Sequence, residues 1–374
     1  MAVVSKGLEG IVAAETRLGE VKGAEGILYY CGYDINELAG KVSYEEVVYL
    51  LFYNKLPNRV ELDKLTTALR AERELPQGVI DFLKLAPKNA RPIDVMRTAV
   101  SMLGCYDMSR HDVEVSENLA TAIRLVSQIG VVAAYFHRAR QGLELPPVRK
   151  DLSEAAHFLY LMSGEVPSKE AEQTLDVAYV LHAEHGFNAS TFTARVVAST
   201  LSDMYSAISA AIGALKGPLH GGANEGVIHM LQEIGSLEKV DTWVEDALAQ
   251  KKKIMGIGHR VYKVLDPRAP HLREMAIKLT AQLGEAKWIQ MSERIAEIMR
   301  ERKGLNANVD FYSATVYYSL DIPTDLFTPI FAIARMSGWT AHVLEQWSEN
   351  RLFRPLSEYV GRPYGQKVQP IDER

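Results

Sequence analysis

Three short segments of this chain combine residues that move protons with residues that let a backbone turn sharply. The first is Lys216-Gly217-Pro218-Leu219-His220-Gly221-Gly222-Ala223-Asn224-Glu225, which ends one helical run and opens another through Val227, Met230 and Leu231. A histidine at a helix N-terminus meets the positive end of the dipole, which disfavours imidazolium and lowers its pKa. A neutral imidazole of that kind can donate a hydrogen bond to a developing oxyanion. The alternative is a glycine turn whose histidine is satisfied by a backbone carbonyl. The second segment is Gly256-Ile257-Gly258-His259-Arg260-Val261-Tyr262-Lys263, followed by Asp266-Pro267-Arg268. It lacks the third glycine and the preceding strand of a dinucleotide fingerprint, and the Gly-Lys-Ser/Thr ending of a P-loop. A glycine loop with one histidine, two arginines and a lysine suits an anionic ligand that also needs a proton; the alternative is a solvated basic loop. The third segment, Asn306-Ala307-Asn308-Val309-Asp310-Phe311-Tyr312-Ser313, sets one carboxylate among apolar and aromatic neighbours. Burial would raise its pKa toward that of a useful base, and the competing reading is a helix-capping aspartate.

His182-Ala183-Glu184-His185 raises the question of a metal. It is one residue short of the His-Glu-x-x-His zinc pattern, and both cysteines, Cys31 and Cys105, lie upstream of where a deaminase would need its Cys-x-x-Cys. The pair would share one helical face, yet no metal is expected. His111, His137, His157, His229, His271 and His342 sit in periodic or polar helical contexts and read as structural or solvated.

The elements that must position these segments are mostly helices. Ser43-Tyr44-Glu45-Glu46 has capping-box form ahead of Val47, Leu50 and Leu51. Leu62, Leu65 and Leu69 continue at helical spacing, with Pro76 as the stop. Ser168 can cap a helix through Leu175, Ala178 and Leu181. The alanine-rich run from Ser190 to Lys216 predicts one long helix ending at Gly217-Pro218, and the stripe Leu272, Met275, Ala276, Leu279 and Leu283 predicts another. Asn-Gly and Asp-Gly, the strongest hairpin dipeptides, do not occur, so the fold class expected is all-α, with short strands allowed between Gly26 and Tyr33. At 374 residues, 47% of them apolar and 24% charged, the chain can bury a large core. A net charge of −5, with no basic run longer than Lys251 to Lys253, excludes a nucleic-acid footprint. Two cysteines build no disulfide framework. The apolar run Val131 to Phe136 is far short of a membrane span, and Lys6, Glu9, Glu15 and Arg17 interrupt any signal peptide. The expected setting is cytoplasmic.

The three segments together resemble the citrate synthase family, with His220, His259 and Asp310 each inside a matching motif. Supporting stretches follow in family order: Gly7-Leu8-Glu9-Gly10, Gly32-Tyr33-Asp34-Ile35, His185-Gly186-Phe187-Asn188-Ala189-Ser190, Phe327-Thr328-Pro329-Ile330-Phe331 and Asn350-Arg351-Leu352-Phe353-Arg354-Pro355. The resemblance implies a large helical domain (1–219 and 322–374) with a smaller helical domain (220–321) inserted into it. It implies an acyltransferase of the citrate (Si)-synthase type in the tricarboxylic acid cycle, condensing acetyl-CoA with oxaloacetate and hydrolysing citryl-CoA, with a CoA thioester as substrate and no cofactor. Asp310 would take the methyl proton, neutral His220 would stabilise the enol oxygen, and His259 would protonate the oxaloacetate carbonyl. Arg268, Arg335 and Arg354 would hold carboxylates with His185 assisting and Asn188 and Ser190 lining the site. Gly256, Ile257, Gly258 and Lys263 would meet CoA, although Lys263 stands where some relatives have arginine. Arg354 would reach the neighbouring subunit's site, which implies a homodimer. The chain begins almost at Gly7, so the extension of NADH-inhibited hexameric relatives, and that regulation, are not expected. The alternatives are a 2-methylcitrate synthase using propionyl-CoA, a non-catalytic CoA- or dicarboxylate-binding regulator, and, more distantly, a metal-dependent hydrolase.

Overall fold

The computed structural model describes residues 4–108 and 115–374; His111 lies outside the described residues. Among the described residues a small antiparallel sheet of β1 (Gly19–Lys22), β2 (Ile27–Tyr30) and β3 (Tyr33–Asp34) leads into sixteen α-helices. They are α1 (Ile35–Leu38), α2 (Tyr44–Tyr53), α3 (Arg59–Ala71), α4 (Gln77–Leu85), α5 (Pro92–Tyr106), α6 (Val115–Gln141), α7 (Glu154–Ser163) and α8 (Lys169–His182). Then come α9 (Ala189–Ser199), α10 (Met204–Leu215), α11 (Ala223–Ile234), α12 (Val240–Ala249), α13 (Ala269–Leu283), α14 (Lys287–Lys303), α15 (Val309–Ser319) and α16 (Phe327–Ser348).

Local signals set most boundaries. Ser43 and Glu46 form the reciprocal capping box of α2, Asn58 and Glu61 form that of α3, and Ser168 caps α8. α3 ends at Ala71 rather than at Pro76, which instead starts α4 as its N-cap. The alanine-rich run is two helices, not one. Leu201 turns to φ +63 after α9, and the Asp203 side chain accepts the Ser206 N–H to start α10. The sheet reaches further than expected because the β2–β3 turn is Cys31-Gly32, both at positive φ. That is the mirror-image geometry Asn-Gly usually supplies.

α16 is the axis of the larger body. It is buried on every face from Phe327 to Val343, and α2, α5, α6, α8, α9 and α10 pack on it. The stretch Asn118–Gln141 of α6 is long and apolar enough to cross a membrane, which the sequence reading did not expect, but 78% of its most apolar window is buried inside the fold. It is a core helix. α15 plays the central part in the second body, packing on α11, α13 and α14, while α12 packs on α14. α11 touches α16 and joins the two bodies. Residues 349–374 leave α16 as an exposed tail.

Candidate active site

The His220 ring is set by the turn between α10 and α11. The backbone N–H of His220 donates to Gly217 O (2.9 Å), and Gly221 N–H donates to Leu215 O (2.9 Å). The ring faces α9, where Ser190 Oγ lies 2.8 Å from Nε2 and the Ser190 N–H points at the same nitrogen from 3.3 Å. A nitrogen that receives a backbone N–H is an acceptor, which assigns the proton to Nδ1. Ser190 is itself held by Trp339 Nε1 (3.1 Å) and Asn188 Oδ1 (2.7 Å). The His220 pKa is pushed down to about 4, first by burial and then by the Arg335 charge. His220 lies outside α11, which begins at Ala223.

His259 is neutral for a parallel reason but in the opposite tautomer. Its Nδ1 accepts the N–H groups of Val261 and Tyr262, both at 3.1 Å, so Nε2 carries the proton. Burial, then the charge of Arg268, lowers its pKa to about 4. Its loop is stitched to the one that carries Asp310. Ile257 pairs with Ala307 in an antiparallel bridge, Gly258 N–H donates to Asn306 O (2.8 Å), and Asn308 N–H donates to Gly256 O (2.9 Å). Gly256 has to be glycine. It sits at φ +74, and a Cβ would stand 2.9 Å from the Phe311 Cα.

Asp310 occupies the first turn of α15 without capping it; Asn308 does that, accepting the Asp310 N–H at 3.0 Å. The residue is half-buried, but its Oδ1 is enclosed and takes no hydrogen bond among the described residues. Burial raises its pKa to about 7 against the pull of Arg268. A carboxylate without donors is a stronger base than a solvated one, and perturbed acids of this kind cluster at functional sites.

Two guanidiniums face these groups. Arg335, 1% exposed, donates Nε to His182 O (2.5 Å) and stands over the Phe331 ring, with no carboxylate in ion-pair range among the described residues. Burial lowers its pKa to about 10. A buried cation without a counterion is costly unless an anion arrives. Arg268, 2% exposed, is committed along one edge to Asp266, through Nε (3.0 Å) and Nη2 (2.8 Å). Asp266 also accepts the Val309 N–H (3.2 Å), tying the arginine to the start of α15. His185 lies beyond α8, so it does not share a helical face with His182. His182 Nδ1 is bonded to Ala178 O (2.7 Å), and among the described residues no three His, Cys, Asp or Glu side chains could hold a metal. His185 Nε2 meets the Tyr262 hydroxyl (3.1 Å), and its ring is edge-on to His259 at 5.5 Å. Burial, then Arg268, holds its pKa well below the ordinary value.

Other expected residues stand apart. Asn188 caps α9, and its amide donors go to Gly186 O (3.3 Å) and Thr191 Oγ1 (3.0 Å), which makes it a support for Ser190. Lys263 is exposed, with Nζ 3.4 Å from Arg260 O. Arg354 lies on the exposed tail, away from His220 and Asp310, and donates to Pro355 O (3.0 Å). The sequence reading missed Tyr262, although it sits three residues after His259, and it used Asp266 only as part of a motif. It also missed Glu184, whose carboxylate accepts from His342 Nε2 (3.0 Å) and the Gly186 N–H directly behind His185.

A family model described as "Citrate synthase, C-terminal domain" matches residues 7–356. The chain is 50% identical over 371 residues to Citrate synthase 2 of Bacillus subtilis, covering 99% of each. It is 42% identical to 2-methylcitrate synthase 2 of Corynebacterium glutamicum, covering 99% of this chain and 98% of that one. A citrate synthase from the thermophilic archaeon Thermoplasma acidophilum, solved as a ternary complex with carboxymethyl coenzyme A and oxaloacetate, superposes with a TM-score of 0.94 at 34% identity over 100% of both chains.

Proposed function

We propose that this chain, which belongs to the citrate synthase family and so to the acyltransferases that condense an acyl-CoA with a dicarboxylate, is a citrate synthase proper of the Si type. Its substrates are acetyl-CoA and oxaloacetate. One observation carries the reading. A donor-free carboxyl with a pKa of about 7 shares its surroundings with two neutral imidazoles in opposite tautomers and two buried arginines. A dicarboxylate docks on Arg335 and the free edge of Arg268, supplying the anion that Arg335 lacks. Asp310 removes a methyl proton from acetyl-CoA while the Nδ1–H of His220 stabilises the enol oxygen that forms. The enol carbon attacks the oxaloacetate carbonyl carbon, and the Nε2–H of His259 passes a proton to the alkoxide. Water then cleaves the citryl thioester to citrate and CoA.

A binding-only regulator would have no use for such a carboxyl or for oriented imidazole tautomers. Residues 220–321 act as the domain that closes over oxaloacetate and excludes water before enolisation; α11 to α15 packing chiefly on one another supports this. A homodimer in the cytoplasm completes the reading, with Arg354 serving the neighbouring site. The tail that carries Arg354 holds Leu356, Val360, Tyr364 and Val368 almost fully exposed, as an arm lying on a second copy would. Gly256 to Gly258 and Lys263 take CoA. The test is thiol release from acetyl-CoA and from propionyl-CoA, each with oxaloacetate and EDTA. The expected result is a higher kcat/KM with acetyl-CoA, in line with the 50% identity to a citrate synthase against 42% to a 2-methylcitrate synthase. One extra methylene discriminates by only about 1–3 kcal/mol, so faster propionyl-CoA turnover would overturn the acetyl assignment. No release from either would overturn the synthase reading.

A further inference from the structure

The chemistry above leaves the N-terminal motif around Gly7 without a task, although it stands against Arg260 of the His259 loop. The turn between β1 and β2, Gly23 to Gly26, is in close backbone contact with residues 261–265. Gly23 O accepts the Lys263 N–H at 2.9 Å. A Cβ on Gly23 would stand 2.3 Å from Val261 O, and one on Gly26 would stand 2.7 Å from Val264 Cγ2 and 3.0 Å from Leu265 O. Two further contacts flank this one. His271 Nε2 lies 2.8 Å from Asn36 Oδ1, and the exposed Arg260 faces Glu9.

The same ribbon positions the imidazole, since the N–H groups of Val261 and Tyr262 hold His259 Nδ1. The hairpin is anchored at its other end to the arginine side of the site. The Tyr30 hydroxyl on β2 donates toward Val180 O (3.1 Å) and Leu181 O (3.3 Å), at the end of α8 just before His182 and His185. We propose that the Gly23–Gly26 turn is a clamp that sets the position of His259, making Gly23 a positioning residue. It grips residues 261–265 by backbone contact and registers them against the end of α8, which aligns His259 and Tyr262 with His185. The clamp rests on the role given above to His259.

Gly23→Ala is a direct perturbation because Gly23 has no positive φ and the atoms nearest the added methyl are those of the Val261 backbone and side chain. Glu25→Ala on the same turn is the control. Gly23→Ala should lower kcat/KM for oxaloacetate about tenfold, within the range that a displacement of order 1 Å can cost. The Tm should stay at the wild-type value. Trypsin should cut faster after Arg260 and Lys263, and the Lys263 amide should lose hydrogen-exchange protection. Glu25→Ala should change none of these. Wild-type oxaloacetate kinetics together with wild-type loop cleavage in Gly23→Ala would overturn the clamp. So would an unprotected Lys263 amide in the wild-type protein, a result that stands even if Gly23→Ala fails to fold. Exchange and proteolysis need no turnover, so a wild-type protein inactive with both thioesters would sink the synthase reading and still leave the clamp to be judged by them.

Discussion

Asp310→Asn should make the protein both inactive and more stable, with the gain growing as pH rises. The carboxyl is held at about 7 rather than the ordinary 3.8, chiefly because burial strips solvent from its charged form and Oδ1 finds no donor. The sign follows from linkage. A carboxylate whose folded pKa is raised binds its proton more tightly in the native chain than in the unfolded one. Stability therefore falls as pH climbs from the unfolded value toward the folded one, and the full cost is present above about 7. Between pH 5 and pH 8 the wild-type chain should lose about 2–3 kcal/mol relative to Asp310→Asn, a figure that already contains the opposing pull of Arg268 and Arg335. Urea titrations of both proteins at pH 5, 6.5 and 8 read the difference directly. In the wild type, log kcat/KM should rise with unit slope and level off near pH 7, since only the ionised carboxyl accepts the proton. Losing the base should cost the variant about 10²–10⁴ in kcat. Parallel stability curves for the two proteins, or a kinetic break below pH 5, would refute the donor-free carboxyl as the base.

The exposed tail yields a second prediction: mixing Arg354→Ala subunits with Asp310→Asn subunits should recover roughly a quarter of wild-type activity at random pairing, because one site in each mixed dimer is intact; no recovery would show that each subunit is self-contained. A third concerns Asp176, whose Oδ1 accepts the Tyr44 N–H (3.0 Å) and whose pKa is raised well above its ordinary value by burial and then by Glu45. Asp176→Asn keeps that acceptor and should raise stability at pH 8, with a smaller gain at pH 5, as differential scanning calorimetry at the two pH values would read.

The proposed chemistry is legible in the sequence wherever a short segment both bends the chain and carries a proton-handling group. His220 and His259 lie among glycines, and Asp310 follows an asparagine cap, so their local geometry is written within about ten residues of each. What could not be read is what meets them from afar. Ser190 and His220 are thirty residues apart, Arg335 meets a carbonyl 153 residues away, and Glu184 finds His342 across 158. No local pattern marks such partners, which is why the part of burial and Arg335 in the low pKa of His220 is not legible in the sequence. The break at Leu201 was missed for a different reason. Alanine-rich propensity runs through it, and the Asp203 cap outweighs that propensity only once α9 and α10 fold back on each other.

The same contrast explains why the proposed catalytic groups sit where they do. Each proton-handling residue belongs to a loop or a first helical turn, while each arginine that meets them is buried: Arg335 within the apolar length of α16, and Arg268 at the head of α13, locked to Asp266. Loops fastened at a few backbone bonds can shift when a substrate closes the site, whereas a guanidinium held by a core helix stays fixed and keeps its desolvation cost until an anion arrives. A dicarboxylate therefore has to bind first to make the site electrically balanced. Once it has, its negative charge raises the proton affinity of Asp310 beyond that of the free enzyme. The acid limb of kcat/KM for the acyl-CoA, measured at saturating oxaloacetate, should thus lie at higher pH than the limb for oxaloacetate itself, and the two would coincide only if the carboxyl did not feel the bound anion.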